Sequence, residues 1–514
     1  GNQSSVYGSG AIGGTINIIT KRGEPGFQKK VNYNTSSNST HNLALSMSGA
    51  DEKNDFYFGL ERFFTAGISA MNNNDEDDGY KNNTIVANYG YKFSDILKLE
   101  NNIRYGDTYL QYDTTNDWDS FTKVKLKDNP YETSKYLSGS ASLIYKPNSQ
   151  FTNNLTYSGY SIDRKYNTNL DKQDEYDGRR KGLTYNATYN INLDSSVTFG
   201  AGSEYDRIYY NKGNKDTIRS EGFQTNSSYI DYQKRFTNNI YATLGARLDE
   251  HSLVGKENSQ RATVAYLFDD KTTKLKASAG TGFRFPSLYE AYYAYGALPK
   301  SRKTLKAETS KGFDLGLEKS FTDLGLNIDL SYFNTKYIDA LEGWQGNTLT
   351  DVWGSVTLNN PSTTKSQGIE FLSKLKFNEA LNFDLNYTYT STYDGAEHDN
   401  PQKNSDLKDT QMVRVPKHFI NLTSKYIFPN KNLNVALRTK VSSKAWDYGH
   451  VQTYDFEDQK LNSYMVNDLA LNYNLWGMYD LYFDINNIFD KKYSTVLQYG
   501  ALDRSFNFGI KRVY

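Results

Sequence analysis

Along most of the chain apolar and polar side chains alternate one for one, the period of a strand with one face in an apolar medium and the other in a polar one. In LNFDLNYTYT, residues 381–390, Leu381, Phe383, Leu385, Tyr387 and Tyr389 fall on one face, and Asn382, Asp384, Asn386, Thr388 and Thr390 on the other. YDLYFDINNIF sets Tyr479, Leu481, Phe483 and Ile485 against Asp480, Tyr482, Asp484 and Asn486, and TKLKASAG sets Leu275, Ala277 and Ala279 against Lys274, Lys276 and Ser278. Beyond residue 25 the 3.6-residue period of an amphipathic helix is hard to find, so the chain reads as all-β.

The breaks between strands come in two sizes. Tyr145-Lys146-Pro147-Asn148-Ser149 and Phe428-Pro429-Asn430-Lys431-Asn432 read as tight turns. Met71 to Tyr80, Asp107 to Tyr131, Tyr289 to Lys311 and Tyr393 to Val413 are longer stretches rich in Asn, Asp, Tyr and Gly. Short turns at one end and long polar loops at the other are the signature of a transmembrane antiparallel β-barrel whose long loops face outward. A soluble β-sandwich, propeller or β-helix would share the alternation, but no fixed-period repeat supports a propeller or solenoid. No Pro/Ser-rich linker or compositional step interrupts the chain after residue 25.

Composition sharpens this picture. Only 37% of the 514 residues are hydrophobic and the mean hydropathy is −0.74, yet there are 44 Tyr and 27 Phe. No stretch approaches the ~18 consecutive apolar residues of a membrane-spanning helix, which excludes a helical membrane protein. A barrel hides its membrane signal because lipid-facing and lumen-facing residues alternate, and its tyrosines gather at the two membrane interfaces. The final strand, RSFNFGIKRVY, places Phe506, Phe508, Ile510 and the terminal Tyr514 on one face, with Arg512 as the exception. Such a strand closes a barrel and leaves no free edge.

Lys and Arg total 59, as do Asp and Glu, so no charge excess points to nucleic acid. With no cysteine there is neither a disulfide framework nor a thiolate metal site. His41, His251, His398, His418 and His450 are scattered, and no Gly-x-Ser-x-Gly elbow, His-Glu-x-x-His helix or phosphate loop appears, so the chain is not expected to be an enzyme. A barrel enzyme and a passive porin remain as readings from other classes.

SSVYGSGAIGGTINIITKRG, Ser4 to Gly23, resembles the end of the plug domain of a TonB-dependent outer-membrane receptor, with an Asn-Ile-Ile-Thr strand leading into the barrel. GTGFRFPSLYEAYY, Gly280 to Tyr293, resembles that family's arginine-proline strand end, and LKAETSKGFDLGLE the segment after it. KSQGIEF, VPKHFINL and NNIFDKKYSTVLQYG fit three later strands and hairpins in the family's order. The resemblance implies a barrel of about 22 strands over residues 25–514, with residues 1–24 the C-terminal remnant of the plug. The plug's body would lie upstream of Gly1 or on a separate piece. It further implies active uptake of a large scarce ligand across the Gram-negative outer membrane. The partners would be that membrane's lipid and the TonB-ExbB-ExbD complex, which engages the plug's N-terminus.

Within the family, FFTAGISAMNNNDEDDGYKNN, Phe63 to Asn83, resembles an early acidic loop of cobalamin transporters, where such loops hold calcium. The resemblance points to Asp75, Glu76, Asp78 and, in the next loop, Asp113 as calcium ligands, with Asp77, Asp117 and Asp119 nearby; calcium accepts 6–8 oxygens in irregular geometry. The expected ligand is cobalamin or a related corrinoid, with a ferric siderophore as the alternative. Haem fits less well, because no histidine lies between Pro286 and Leu305. Tyr289, Tyr292, Tyr293 and Tyr295, with Arg302, are the candidate ligand contacts, since their rings can stack on a corrin or a catecholate. Two features depart from the cobalamin branch: Leu502-Asp503-Arg504 before the last strand, and Ala307 where a proline is common.

Overall fold

The computed structural model describes residues 2–71, 76–113, 130–167, 173–212, 219–292, 305–344, 356–360, 363–394, 411–430, 432–452 and 455–514. Twenty-two antiparallel strands form one sheet. It closes where the first strand, Gly26–Ser36, pairs with the last, Ser505–Val513, from Lys30 opposite Val513 to Ser36 opposite Asn507. Closure is what the bilayer requires, because no water is available there to satisfy the hydrogen bonds of an open edge.

The register keeps the two faces separate all the way round. Leu275, Leu317, Leu330 and Phe371 lie side by side on four neighbouring strands, and Leu481 and Phe483 stand opposite Ile510 and Phe508. These are the apolar members of the alternation, and they form the outer wall. The inner wall is polar and internally bonded. Lys276 donates to Glu318 at 2.8 Å and to Asp329 at 2.7 Å, Lys511 to Asp480 at 3.0 Å, and the Tyr482 hydroxyl to Asn32 at 3.2 Å.

Arg512, the exception in the last strand, stays on the outer face. Its guanidinium lies 4.0 Å from the Tyr514 ring centroid and 4.8 Å from that of Tyr479, and donates to the Tyr479 hydroxyl at 2.6 Å. At the turn end of the barrel a delocalised cation held by two aromatic rings is tolerated where a bare charge would not be.

Connections at the end carrying the first residue of Gly26–Ser36 are short, such as 95–96, 193–194 and 377–380; those at the other end include the long ones, such as 66–79 and 285–307, beside tight turns at 37–39 and 252–254. Strands run further into the long-loop side than the alternation indicates. Leu97–Gln111 continues past Asp107, and Glu308–Phe321 begins before Lys311. Above the bilayer both faces meet water, so the ladder persists after the apolar pattern stops. Two small hairpins, Ala340–Trp344 with Val356–Asn360 and Ala445–Gln452 with Asp455–Leu461, stand in the long loops outside the barrel sheet.

The N-terminal segment is bonded to the inner wall. A one-turn helix, Ser4–Tyr7, lies against it. Asn2 donates to the Gly280 carbonyl at 3.1 Å, while the Ser4 and Ser9 hydroxyls accept from the backbone N–H of Phe283 and Phe285 at 3.2 and 3.0 Å. Gly282 permits this approach, since a Cβ there would stand 2.8 Å from Ser310 Oγ and 3.1 Å from Ile12 Cα. Further on, Asn88 donates to the Lys21 carbonyl at 2.6 Å, and Arg22 pairs with Asp55 and Glu100, each at 2.7 Å. The expected Asn-Ile-Ile-Thr strand does not form. A strand exists only through a ladder partner, and among the described residues this segment has none, so Ile16, Ile18 and Ile19 are 91%, 83% and 87% exposed.

Candidate functional site

The strand Thr273–Arg284 delivers Arg284 to the loop end of the barrel. Its two terminal nitrogens donate to the two carboxylate oxygens of Glu290, each at 3.0 Å, and its Nε donates to Glu308. Glu308 also accepts the Leu341 N–H at 2.6 Å, which ties in the next loop. Ser287 and Glu290 form a reciprocal cap: Glu290 accepts the Ser287 N–H at 2.7 Å and Ser287 Oγ accepts the Glu290 N–H at 3.2 Å. Their cap opens the short helix Leu288–Tyr292. The arginine of the Phe-Arg-Phe-Pro stretch is therefore a loop fastener.

The helix turns its two tyrosines different ways. Tyr289 is 48% exposed and lines a cavity, with its ring 6.5 Å from that of Tyr176. Tyr292 packs on Phe223 at 5.5 Å, beside Ala291 and Leu305. Tyr293, Tyr295 and Arg302 lie outside the described residues.

The cavity, about 880 Å³, lies between the N-terminal segment and the inner wall and is lined by Tyr7, Arg180, Asp206, Arg247 and Tyr289 among others. Asp249, 1% exposed, accepts two hydrogen bonds from Arg247 at 2.7 and 3.0 Å, and the third guanidinium nitrogen donates to the Val6 carbonyl at 3.1 Å. Above it runs a row of rings that sequence reading missed: Tyr112 to Tyr166 at 6.3 Å, Tyr166 to Tyr176 at 5.8 Å, and Tyr176 to Tyr210 at 4.6 Å. Tyr176 and Tyr210 are cross-strand partners. Their only sequence signal is a tyrosine on the polar face of each strand, which becomes a platform once the register is known.

The loop following Asn54–Thr65 supplies Glu76 and Asp78, and the loop following Leu97–Gln111 supplies Asp113. One carboxylate oxygen from each lies within 4.8 Å of the others. Backbone N–H groups fix two of them: Asp78 Oδ2 accepts from Ala70 at 2.9 Å and Asp113 Oδ2 from Met71 at 3.0 Å. Asp78 Oδ1 is buried and accepts no hydrogen bond among the described residues. Burial first, and the neighbouring Asp113 carboxylate second, push Glu76 up to about 7; burial, again with Asp113, pushes Asp78 up to about 6. Gly67, at φ +81°, lets the chain double back here, for a Cβ would fall 2.1 Å from the Asp78 carbonyl oxygen. The loop is pinned to the C-terminal region by the Met71–Tyr499 bridge and by Gly500 N–H to Ala70 O at 3.0 Å. Converging carboxylates with an unused buried oxygen suit a hard cation, and calcium fits this donor set. Asp75, like Asp117 and Asp119, lies outside the described residues.

The model of the family described as TonB dependent receptor-like, beta-barrel matches residues 26–488. The chain belongs to the TonB-dependent receptor family. Its closed 22-stranded barrel is an outer-membrane protein of that family of transporters and receptors. Among curated proteins it is similar to the vitamin B12 transporter BtuB of Photobacterium profundum, 24% identical over 98% of this chain and 77% of the relative. BtuB of Vibrio vulnificus is 23% identical over 98% and 75%. Among solved structures it is similar to the siderophore receptor PirA from Acinetobacter baumannii, with a TM-score of 0.80 and 18% identity over 99% of this chain and 84% of that one. The ferric-catecholate import receptor Fiu from E. coli gives 0.79 and 12% over 100% and 85%. At these identities the structures show a common fold.

Proposed function

We propose that this TonB-dependent receptor takes up cobalamin or a related corrinoid, with residues 1–24 as the end of its plug and the TonB-ExbB-ExbD complex as its energy source. The observation that carries the reading is the convergence of Glu76, Asp78 and Asp113 from two different loops. Similarity to two vitamin B12 transporters along 98% of the chain supports it. Glu76, Asp78 and Asp113 would hold a calcium ion, which supplies the positive charge that lets three close carboxylates stay ionised. The two loops would then be tied together at the mouth, and Tyr289 with the Tyr166–Tyr176–Tyr210 row would offer flat faces to a macrocycle.

A ferric-siderophore reading is favoured by one specific observation. The same tyrosine row stands beside Arg164, which donates to the Tyr166 hydroxyl at 3.2 Å and pairs with Glu132 at 3.0 Å, and a cation among aromatic rings also suits an anionic catecholate that competes with that carboxylate. Equilibrium binding of cyanocobalamin and cobinamide to the full-length receptor, with calcium and with chelator, separates the two. Nanomolar binding that chelator weakens supports corrinoid uptake. No corrinoid binding alongside tight binding of a ferric catecholate overturns it.

A further inference from the structure

The outer wall carries a charged row that neither ligand uptake nor barrel closure requires. Lys336 stands directly opposite Lys311 on one neighbouring strand and Lys365 on the other. All three are exposed. They share the outward face with Leu317, Leu330 and Phe371 of the same strands, at the long-loop border of the apolar band. Like charges directly opposite on adjacent strands repel across about 5 Å. Among the described residues no carboxylate forms an ion pair with any of the three; Lys365 lies over the Tyr393 ring at 6.0 Å. The balanced net charge of the chain conceals this local excess.

One step further into the membrane, a groove runs from the Lys311 strand across the three neighbouring strands on the side away from Lys336. Leu244, Ala262, Ala279 and Phe313 are consecutive cross-strand partners, so two alanines lie between two large side chains. The resulting groove, about 810 Å³, is bordered by Lys311 and Lys336. A row of cations that begins at the rim of an apolar trough and continues to one side of it complements a molecule with a phosphate at one end and a hydrocarbon chain at the other. The long-loop end places this wall in the outer leaflet.

We propose that this face holds a phosphorylated, acylated glycolipid of the outer leaflet, its phosphate over Lys311, Lys336 and Lys365 and one acyl chain in the Leu244–Ala262–Ala279–Phe313 groove. The site is separate from the mouth of the barrel, so it stands or falls independently of the transported ligand.

Native mass spectrometry of the detergent-purified receptor tests it with four probes: diphosphoryl lipid A, enzymatically dephosphorylated lipid A, phosphatidylglycerol and inorganic phosphate. The variants are the triple change Lys311→Gln, Lys336→Gln, Lys365→Gln and the control Lys234→Gln, an outward lysine over the Phe236 ring near the short turns. Heat-modifiable migration on a gel verifies that each barrel is folded. The expected result is retention of diphosphoryl lipid A by the parent and the control, with apparent affinity roughly a hundredfold weaker in the triple variant. A second expectation is an Ala262→Phe, Ala279→Phe variant that keeps inorganic phosphate binding as weak as the parent's while losing the lipid. Equal retention by the folded triple variant, or equal retention of dephosphorylated lipid A, overturns the proposal. Phosphatidylglycerol held as tightly as lipid A overturns the glycolipid assignment, and a response to inorganic phosphate alone marks an adventitious anion site.

Discussion

Arg284 and Glu290 form a two-pronged ion pair, each terminal guanidinium nitrogen donating to one carboxylate oxygen at 3.0 Å. Because Arg284 also holds Glu308, one side chain fastens the end of its own strand, the helix Leu288–Tyr292 and the backbone of Leu341. Removing it strands two partly buried carboxylates at once.

Arg284→Ala is accordingly expected to destabilise the loop end by roughly 2–3 kcal/mol, a loss of charged hydrogen bonds that surface pairs do not show. Arg284→Lys should recover only part of this, since an ammonium cannot fork onto Glu290 and reach Glu308 together. Thermal unfolding in detergent, followed by circular dichroism, reads both; a lysine variant as stable as the parent would refute the fork as the cause.

Gly67→Ala combines a strained φ with a collision at the Asp78 carbonyl. A cost on the order of 1–3 kcal/mol is expected for the backbone alone. Terbium luminescence titration should show cation affinity reduced at least as far as in Asp78→Asn. If Gly67→Ala binds terbium like the parent, the doubling-back at Gly67 does not position the carboxylates.

The carboxylates also set a pH dependence. Glu76 at about 7 and Asp78 at about 6 lie above their ordinary values, so between roughly pH 4 and 7 the folded protein binds more protons than the unfolded one. Without divalent cation, stability should therefore fall as pH rises through this window, and be fully regained only below it. Melting temperatures measured from pH 5 to 8 in chelator should slope downward, and the slope should flatten in the Glu76→Gln, Asp78→Asn double variant. Added calcium should raise the high-pH end most, because it binds the ionised forms.

Inside the barrel, Arg247→Ala leaves the fully buried Asp249 without its partner and removes the bond to the Val6 carbonyl. A loss of about 3–5 kcal/mol is expected. The paired change Arg247→Met, Asp249→Leu should restore much of it, which chemical unfolding can measure; an equally unstable double variant would mean that the Val6 contact, not the buried charge, dominates.

How much of this was legible depends on the physical coding of each feature. Leu381, Phe383 and Leu385 announce their face because a two-sided wall demands a two-residue period whatever its neighbours are. Glu76 and Asp78 were visible as neighbours in an acidic stretch, and Asp113 as a carboxylate in the next loop. The Met71 and Ala70 N–H groups that orient them, and Gly67, which lets them meet, were not visible. The sequence offers Tyr292 and Tyr289 alike as ligand contacts, and a single helical turn sets them apart, with Tyr292 packed on Phe223 and Tyr289 lining the cavity. The Asn-Ile-Ile-Thr segment has strand composition, but pairing is a relation between two segments and composition describes only one.

By itself the sequence determined an all-β chain with an apolar outer face, a polar inner face, short turns, long loops and a terminal aromatic strand, because local alternation records which medium each residue meets. Only the tertiary structure decided the partners: 22 strands in closed register, Lys311 beside Lys336 and Lys365, Tyr176 opposite Tyr210, and three carboxylates drawn from two loops. Those relations arise from register and closure, which couple residues distant in sequence and leave no trace in the pattern of any single strand.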